Sequence, residues 1–481
     1  MNRRISRRRF LSSSGAIGAG LTILPAGLLR AYAANERIDV ALIGVGGRGM
    51  WFVDTIPRME NVVALCDVDT KKLAGAFRHW EEFGKKYAVS PHSWERAAAN
   101  EFQRLAQTKP KTFQDFRRMF DEMKQIDAVV VATPDHTHAV ASAAAIRSGK
   151  HVFCEKPLTR TVHESRALRE LARKHKVATA MGNQGTYSGP FRRALELIRN
   201  GTLGAIKEVY VWNSGGGADR KEPPKGEQPV PEGFQWDLWL GPARFRAFHK
   251  EWLHRHSWRE FGTCQLGNWA THSANLAFMS LKVHELWLTE TPQEPRPLVR
   301  VQAQCSSINR LSFPRWEVIH WDIPARANFP PIRITWHNGQ TPEVDKLMER
   351  ALQGAPEKLR NNWRFAGTFI VGDKGAIHTT GHNMWFRLLP EDQFKGVQRE
   401  RPETVESSRG PEQDWFAAIR GGKLGWSNFD YASALNECLM LGNVATQFDC
   451  TLEFEPVAMR IVNNAEADGL LRCEYRQGWT L

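Results

Sequence analysis

A glycine-rich turn follows the first apolar run of the chain, and its spacing is suited to binding phosphate groups. The run IDVALI is followed by Gly44, Gly46, Gly47 and Gly49, which form a GxGxxG pattern. In this pattern the glycines permit a tight turn, let a pyrophosphate approach the backbone, and allow the next helix to pack close to the strand. The residues therefore predict a turn that binds a dinucleotide.

An acidic residue lies where such a site needs one. Asp67 ends a second apolar run, NVVALCD, eighteen residues after Gly49. A carboxylate at this position accepts hydrogen bonds from the ribose hydroxyls. Its charge also repels a 2′-phosphate, so the pattern favours NAD over NADP. Lys71 and Lys72 follow closely enough to keep NADP as the alternative.

Histidine and cysteine patterns offer a different chemistry, metal binding, which the spacing does not support. His136 and His138 form one HxH pair, and His254 and His256 form another, but neither has a third ligand at a useful spacing. The seven cysteines are scattered and contain no CxxC. Neither a metal site nor a disulfide framework is predicted.

Alternating strands and helices must position the glycine turn. A third apolar run, DAVVVATP, and a fourth, HVFCEKP, flank the helical stretch HAVASAAAIRSGK. This alternation predicts an α/β fold with a parallel, doubly wound sheet, a Rossmann dinucleotide-binding domain over residues 34–176. Residues 72–111 exceed a simple crossover and are rich in helix formers, so a helical surface insertion is expected there.

The composition limits the size and the partners of the protein. The 448 residues after position 33 are many for one domain, so two domains are expected. The net charge of +13 falls to +7 without the six arginines of residues 1–33, and no later basic block is interleaved with aromatics. Nucleic acid is therefore not an expected partner.

Many of the eighteen tryptophans lie between Trp212 and Trp269. A carbohydrate-facing surface is one explanation of this clustering. Core packing is the other, and it is the interpretation that we adopt for any single tryptophan.

The first 33 residues have the pattern of a twin-arginine export signal. The stretch SRRRFL is followed by a short apolar run and by the sequence AYA, which suits a signal peptidase. The alternative is an uncleaved anchor, but the run is short and glycine-rich. We therefore expect the twin-arginine machinery as a partner, a mature protein in the periplasm or outside the cell, and no stable membrane insertion.

Longer motifs extend these expectations. The stretch CEKPLTRTVHES resembles the Gfo/Idh/MocA oxidoreductases, whose dinucleotide domain ends in a strand bearing Glu-Lys-Pro. Other segments match the family in order and spacing, among them MGNQGTYSGPFRRALELIRNGTLGAIKEVYVW and WDLWLGPARFRAF. The C-terminal segments GTFIVGDKGAI and EADGLLRCEYRQGWTL resemble its secreted bacterial branch.

The resemblance implies the second domain. Residues 177–481 are expected to form an α+β substrate and oligomerisation domain with an open, mostly antiparallel sheet that covers the nicotinamide end of the cofactor. FRRALELIRNG is its opening helix and IKEVYVW its first strand. The glycine- and proline-rich residues 214–234 and a helical excursion near residues 343–364 are expected insertions. An open sheet face implies a possible homo-oligomer.

The resemblance also implies roles for particular residues. Lys156 holds the developing alkoxide beside the nicotinamide, and a cis bond precedes Pro157. The family motif D-x-x-x-H corresponds to Asn268 and His272, so that His272 is the base and Asn268 can only hydrogen-bond the substrate or orient the ring. Asn183 and Gln184 lie at the mouth of the cleft. The implied cofactor-binding residues are Gly44, Gly46, Gly47, Arg48, Gly49, Asp67, Thr133, Pro134, His138, Glu155, Lys156, Asn183 and Gln184.

Three functions are compatible with these residues. The first is an NAD(P)-dependent oxidoreductase that acts on a sugar, glycoside or polyol hydroxyl, with tightly bound and internally recycled NAD. The second is a redox-neutral glycosidase, lyase or epimerase that works through a keto sugar. The third is a non-catalytic carbohydrate-binding relative, which the presence of both Lys156 and His272 disfavours.

Overall fold

The structure is a computed structural model that describes residues 37–288, 296–326 and 328–481. The predicted export signal, residues 1–33, lies outside the described residues. Within the described ranges, no helix is long and apolar enough to cross a membrane.

The first sheet has six strands, all parallel, in the order β3-β2-β1-β4-β5-β6. The neighbouring Val129 and Val130 point to opposite faces of the sheet and are both buried, which shows that both faces are covered, as parallel sheets require. The chain order reverses on the two sides of β1, which marks the edge where such sheets bind ligands. The strands are β1 (Asp39–Ile43), β2 (Asn61–Cys66), β3 (Lys111–Phe113), β4 (Ala128–Val131), β5 (His151–Cys154) and β6 (Thr179–Met181).

Six α-helices accompany this sheet. They are α1 (Gly49–Thr55), α2 (Thr70–Ala88), α3 (Ser93–Thr108), α4 (Phe116–Glu122), α5 (Asp135–Arg147) and α6 (Val162–His175), with a 3₁₀ turn at Ile56–Arg58. The segment expected to be a helical insertion consists of α2 and α3, which pack on each other. Asp69 caps α2, and Thr161 and Glu164 form a capping box at α6, so local sequence sets both helix starts. The predicted α/β Rossmann fold is therefore confirmed.

The second sheet has nine strands in the order β13-β12-β11-β7-β10-β9-β8-β14-β15. Only the β7–β10 pairing is parallel, which confirms the expected open, mostly antiparallel sheet. The strands are β7 (Ile206–Asn213), β8 (Val299–Cys305), β9 (Glu317–Ile323), β10 (Ile332–Asn338), β11 (Ala366–Gly372), β12 (Ala376–Thr380), β13 (Phe386–Leu389), β14 (Leu452–Glu455) and β15 (Arg460–Ile461).

Helices pack on both faces of this sheet. The almost wholly buried α15 lies on one face, where the indole of Trp321 donates to Cys438 O at 2.9 Å. The expected excursion forms α12 and α13, which pack against Trp212 and Phe369. The α-helices are α7 (Gly189–Arg199), α8 (Trp236–Leu240), α9 (Thr271–Ser273), α10 (Asn275–Ser280), α11 (Glu285–Leu288), α12 (Pro342–Ala351), α13 (Glu357–Phe365), α14 (Pro411–Ile419), α15 (Phe429–Ala445) and α16 (Ala465–Gly469). A π-helical turn, Leu266–Ala270, precedes α9, and 3₁₀ turns lie at Gln184–Tyr187, Lys250–Leu253, Arg255–Ser257 and Glu391–Phe394.

Most of the clustered tryptophans are core residues. Trp236, Trp239, Trp252 and Trp258 are buried in one aromatic cluster, and Trp212 is fully buried elsewhere. Core packing therefore explains these five side chains. The cluster lies beside α8 and the 214–234 segment, which contains neither a helix nor a strand, as predicted.

Candidate active site

A cavity of about 490 Å³ lies at the carboxyl ends of β1, β2, β4 and β5. Its volume is within the usual range of small-molecule sites. Both domains line it, because Leu238, Trp239, Arg255 and Asn268 of the second domain face the first. The predicted residues that line it are Gly44, Gly46, Gly47, Arg48, Asp67, Thr133, Pro134, His138, Glu155, Lys156 and Asn268.

Two glycines of the turn, Gly44 and Gly49, have no room for a side chain. A Cβ on Gly44 would lie 2.6 Å from Ala132 O, and a Cβ on Gly49 would lie 1.9 Å from Gly44 O. Gly44 and Gly47 also have φ of +82° and +50°, a region that favours glycine. Gly49 does not line the cavity, but it lets α1 pack against β1. The turn thus leaves bare backbone facing the cavity, which fits a dinucleotide pyrophosphate.

Asp67 lies at the end of β2, as predicted. Its Oδ2 accepts a hydrogen bond from Val45 N at 2.9 Å, and its Oδ1 accepts from Asp69 N at 3.0 Å. These bonds fix the carboxylate beside the glycine turn, and burial raises its pKa. Lys72 also lines the cavity and lies against Gly46. The position of Asp67 matches that of the ribose-binding acid in Rossmann domains.

The Glu-Lys-Pro segment is tied to the glycine turn. Glu155 Oε1 accepts a hydrogen bond from Arg48 Nε at 2.8 Å, and this ion pair is largely buried on the carboxylate side. The peptide bond between Lys156 and Pro157 is cis, as the resemblance implied. The two predicted segments therefore meet at one wall of the cavity.

Asn268 holds the amino group of Lys156. Lys156 Nζ donates to Asn268 Oδ1 at 2.7 Å and to Asn268 O at 3.0 Å. Asn268 Nδ2 donates to Gln265 Oε1 at 3.3 Å, which keeps the amide oxygen turned toward the lysine. Burial lowers the pKa of Lys156. Two of the three ammonium hydrogens are thus used, and the third remains for a substrate oxygen. The sequence had suggested that Asn268 either hydrogen-bonds the substrate or orients the histidine ring; in the structure its side chain accepts a hydrogen bond from Lys156.

His272 is a neutral base with a defined tautomer. Asn183 Nδ2 donates to Thr271 O at 2.7 Å, so Asn183 Oδ1 is the acceptor in its 3.0 Å contact with His272 Nδ1. The histidine proton is therefore on Nδ1 and Nε2 carries the lone pair. Burial and the positive charge of Lys156 lower the pKa of His272 well below its usual value. Nε2 has no hydrogen-bond partner among the described residues.

Of the predicted residues, Asn183, Gln184 and His272 do not line the cavity, and His138 lines it but is held by two backbone carbonyls. Asn183 is fully buried and orients His272. Gln184, which begins the 3₁₀ turn after β6, does not line the cavity. His138 lines it, but its Nδ1 and Nε2 contact Pro157 O at 2.7 Å and Thr133 O at 2.8 Å. Both partners are acceptors, so both nitrogens must donate. Burial opposes this charge, but Cys154 and Asp135 raise the pKa of His138 to about 9. His138 thus joins two cofactor-facing loops.

Sequence reasoning missed a charged pair in the cavity. Arg255 Nη1 forms an ion pair with Asp135, which also accepts from Thr263 Oγ1 at 2.7 Å. Burial raises the pKa of Asp135, but Arg255 and His256 hold it well below its usual range. Arg255 lies between His254 and His256, and the spacing of possible metal ligands concerns only the two histidines, so it gives no signal for the arginine. Among the described residues, no three His, Cys, Asp or Glu side chains form a metal-binding group.

An aromatic group beside His272 was also missed. The ring of His382 lies 4.5 Å from that of His272 and 5.0 Å from that of Trp269. Phe365 is 43% exposed and packs edge-on against Trp269. No local motif marks His382 or Phe365, because the end of α13 and the β12–β13 turn bring them to the site.

Two curated relatives share part of the chain. Glycosyl hydrolase family 109 protein 2 of Shewanella sp. (strain ANA-3) is 28% identical over 176 residues, or 36% of this chain and 34% of that protein. A glycosyl hydrolase family 109 protein of Stenotrophomonas maltophilia (strain K279a) is 24% identical over 334 residues, 63% of this chain and 65% of the relative. The chain therefore spans about a third of the length of the first relative.

The fold and the first domain also have known counterparts. The crystal structure of aldose-aldose oxidoreductase from Caulobacter crescentus, complexed with glycerol, matches 87% of this chain and all of its own length, with a TM-score of 0.51 and 16% identity. This likeness concerns the fold alone. The model of the Gfo/Idh/MocA oxidoreductase family, with its NAD-binding Rossmann fold, matches residues 38–183. Residues 38–183 therefore resemble the NAD-binding Rossmann domain of that family.

Proposed function

We propose that the protein oxidises a hydroxyl group of a sugar, glycoside or polyol, with NAD as the oxidant. The observation that carries the proposal is the proximity of Lys156, whose amino group is held by Asn268, to the neutral His272, whose pKa the lysine charge helps to lower. A cation and a base at one site are what alcohol oxidation requires. The names of the relatives, among them an aldose-aldose oxidoreductase, support a carbohydrate substrate.

The residues of the chain divide the reaction between them. When bound, NAD accepts a hydride from the carbinol carbon. His272 Nε2 takes the hydroxyl proton, since Nδ1 already carries a hydrogen that Asn183 accepts. The free N–H of Lys156 donates to the same oxygen and stabilises its developing negative charge. The C–O single bond thus becomes a carbonyl, with the proton on His272 and the hydride electron pair on the cofactor.

The glycine turn and Asp67 are the residues that fit the cofactor. The turn presents backbone without Cβ atoms to the cavity, and Asp67 faces the position of the adenosine ribose. At the other end, Lys156 and Glu155 border the nicotinamide position. The cavity thus offers bare backbone for the pyrophosphate, the carboxylate of Asp67 for the adenosine ribose, and Glu155 and Lys156 for the nicotinamide end.

The protein works outside the cytosol with a resident cofactor. The support for this part is the twin-arginine pattern in residues 1–33, because that pathway carries folded proteins. NAD is made in the cytosol and is scarce outside it, so the chain folds around NAD before export. A resident cofactor must be restored within the catalytic cycle. The enzyme therefore reduces a second sugar molecule or another acceptor after each oxidation.

A redox-neutral reaction is the second candidate. Both curated relatives described above are named as glycosyl hydrolase family 109 proteins. Transient oxidation to a keto sugar acidifies the neighbouring C–H bond, which permits elimination of a glycosidic group before the hydride returns. The same Lys156 and His272 serve this chemistry, so the two candidates differ in the fate of the hydride.

Deuterium transfer tests both candidates. Sugars and glycosides deuterated at the carbinol carbon are mixed with purified protein without added nucleotide, and the products are analysed by mass spectrometry. Deuterium that passes to a second molecule indicates the oxidoreductase, and deuterium that returns to the same molecule after loss of an aglycone indicates the glycosidase. The variant Lys156→Ala should lose either reaction, and Lys71→Ala, an exposed lysine that does not line the cavity, should keep it. Binding of sugars without any transfer would refute both candidates and indicate a binding protein.

A further inference from the structure

The adenosine half of the cavity is built by both domains. Asp67 marks the ribose position, and Gln114 and Phe116 of the first domain line the space beyond it. Two aromatic residues from distant parts of the second domain complete this half. They are Phe234, at the end of the glycine- and proline-rich segment, and Trp479, two residues before the last residue of the chain.

The segment that carries Phe234 is fastened to the first domain by backbone hydrogen bonds. Thr70 N donates to Gly233 O at 3.1 Å, and Gln235 N donates to Val68 O at 2.9 Å. Gln114 Nε2 donates to Gly233 O at 2.9 Å. These bonds lie on both sides of Phe234, so its ring is held over the turn that follows β2.

The C-terminal segment is fastened in the same region. The guanidinium of Arg117 lies 4.4 Å from the centre of the Trp479 ring, and its Nη1 donates to Gly478 O at 3.3 Å. Phe116 contacts the same indole edge-on, with 6.0 Å between the ring centres. Trp479 is only 8% exposed, and Arg476 pairs with Asp237 to hold the preceding turn. The tail is therefore part of the folded domain.

We propose that Phe234 and Trp479 form the adenine subsite and that their two segments retain the dinucleotide in the protein. The inference rests on the proposed resident NAD. Aromatic faces bind nucleobases by stacking, and a cavity closed at its adenine end releases its ligand only when one of the two segments moves. Recognition of the phosphates by the glycine turn would not by itself explain retention through export.

Nucleotide release tests the inference without any sugar substrate. Wild-type protein and the variants Trp479→Ala and Phe234→Ala are loaded with NADH, and the dissociation rate is measured from the loss of NADH fluorescence after mixing with excess NAD. We expect each variant to release NADH about five- to 150-fold faster, the effect of losing one base–aromatic contact. Trp479→Phe, which keeps an aromatic face, should release NADH at close to the wild-type rate. Trp94→Ala removes an exposed tryptophan that does not line the cavity and should leave the rate unchanged. Circular dichroism and melting temperatures identify any variant that fails to fold.

The outcomes separate this inference from the proposed function. Slow release by the wild type and Trp479→Phe, with fast release by Trp479→Ala, supports the subsite. Equal release by the wild type and by folded Trp479→Ala overturns the subsite, whether or not the cofactor is resident. If the wild type releases NADH within a turnover and Trp479→Ala does so faster still, the subsite stands and the resident cofactor is wrong.

Discussion

The amide at position 268 sets the charge balance around Lys156, so its replacement by a carboxylate is a sharp test. Lys156 Nζ is 2.7 Å from Asn268 Oδ1, and Asn→Asp changes that side chain without changing its size. In the wild type, burial lowers the pKa of Lys156 and a neutral amide does little to oppose it. A carboxylate at the same place favours the charged ammonium, so Asn268→Asp should raise the pKa of Lys156.

The size of the shift follows from the separation. Two unit charges about 4 Å apart interact by about 4 kcal/mol at an effective dielectric constant of about 20. One pKa unit corresponds to about 1.36 kcal/mol, so this interaction is equivalent to about three units. Desolvation of the new carboxylate reduces the effect, and neighbouring opposite charges shift pKa values by about one to three units in proteins. We therefore expect an increase of at least about one unit.

The assay is the pH dependence of kcat/KM on the alkaline side. In the wild type, activity should fall at a pH below 10.5, the ordinary pKa of a lysine, because Lys156 loses its proton early. In Asn268→Asp this alkaline limb should move to higher pH. Gln265→Glu is the matched control, since it adds the same charge to a side chain that contacts Asn268 but has no hydrogen bond to Lys156. An alkaline limb that stays in place or moves to lower pH in Asn268→Asp would refute the assignment of Lys156.

Two further predictions concern the base and the turn. Burial and the charge of Lys156 hold the pKa of His272 well below its usual value of 6.5, so His272 is neutral at that pH and the acid limb of kcat/KM should lie at a lower pH. This limb should vanish in His272→Asn, whose kcat should fall by about 100-fold or more. Half-loss of wild-type activity at or above pH 6.5 would contradict the assignment of His272 as a neutral base. Gly49→Ala should lower the melting temperature and abolish NADH binding, because its Cβ would lie 1.9 Å from Gly44 O. Gly469→Ala is the control for the loss of a glycine, since a Cβ there meets no atom within 4 Å and the residue has no positive φ. Tight NADH binding by a folded Gly49→Ala would be the contrary result.

Local sequence patterns were sufficient to predict the fold of the first domain. The glycine turn, Asp67 and the four apolar runs are each short stretches whose spacing has a direct physical meaning. The edge of a parallel sheet then brings them together, because the carboxyl ends of its strands lie on one side. The resemblance extended this to the second sheet and to Lys156 and His272.

Contacts between distant segments could not be predicted in the same way. Asn268 contacts Lys156 across 112 residues of sequence, and its amide orientation depends on Gln265. Asn183 was expected at the mouth of the cleft, but the fold buries it behind His272. Trp479 reaches the cavity from the end of the chain, and nothing in its neighbours suggests that position. Such partners follow from packing between the two domains, which periodicity and spacing do not encode.

We propose that the protein carries NAD as a resident cofactor of sugar oxidation. The most direct measurement is to purify the exported protein without added nucleotide, denature it, and identify what is released by mass spectrometry and absorbance. We expect denaturation to release about one NAD or NADH per folded chain. Correctly folded protein that releases no dinucleotide would contradict it.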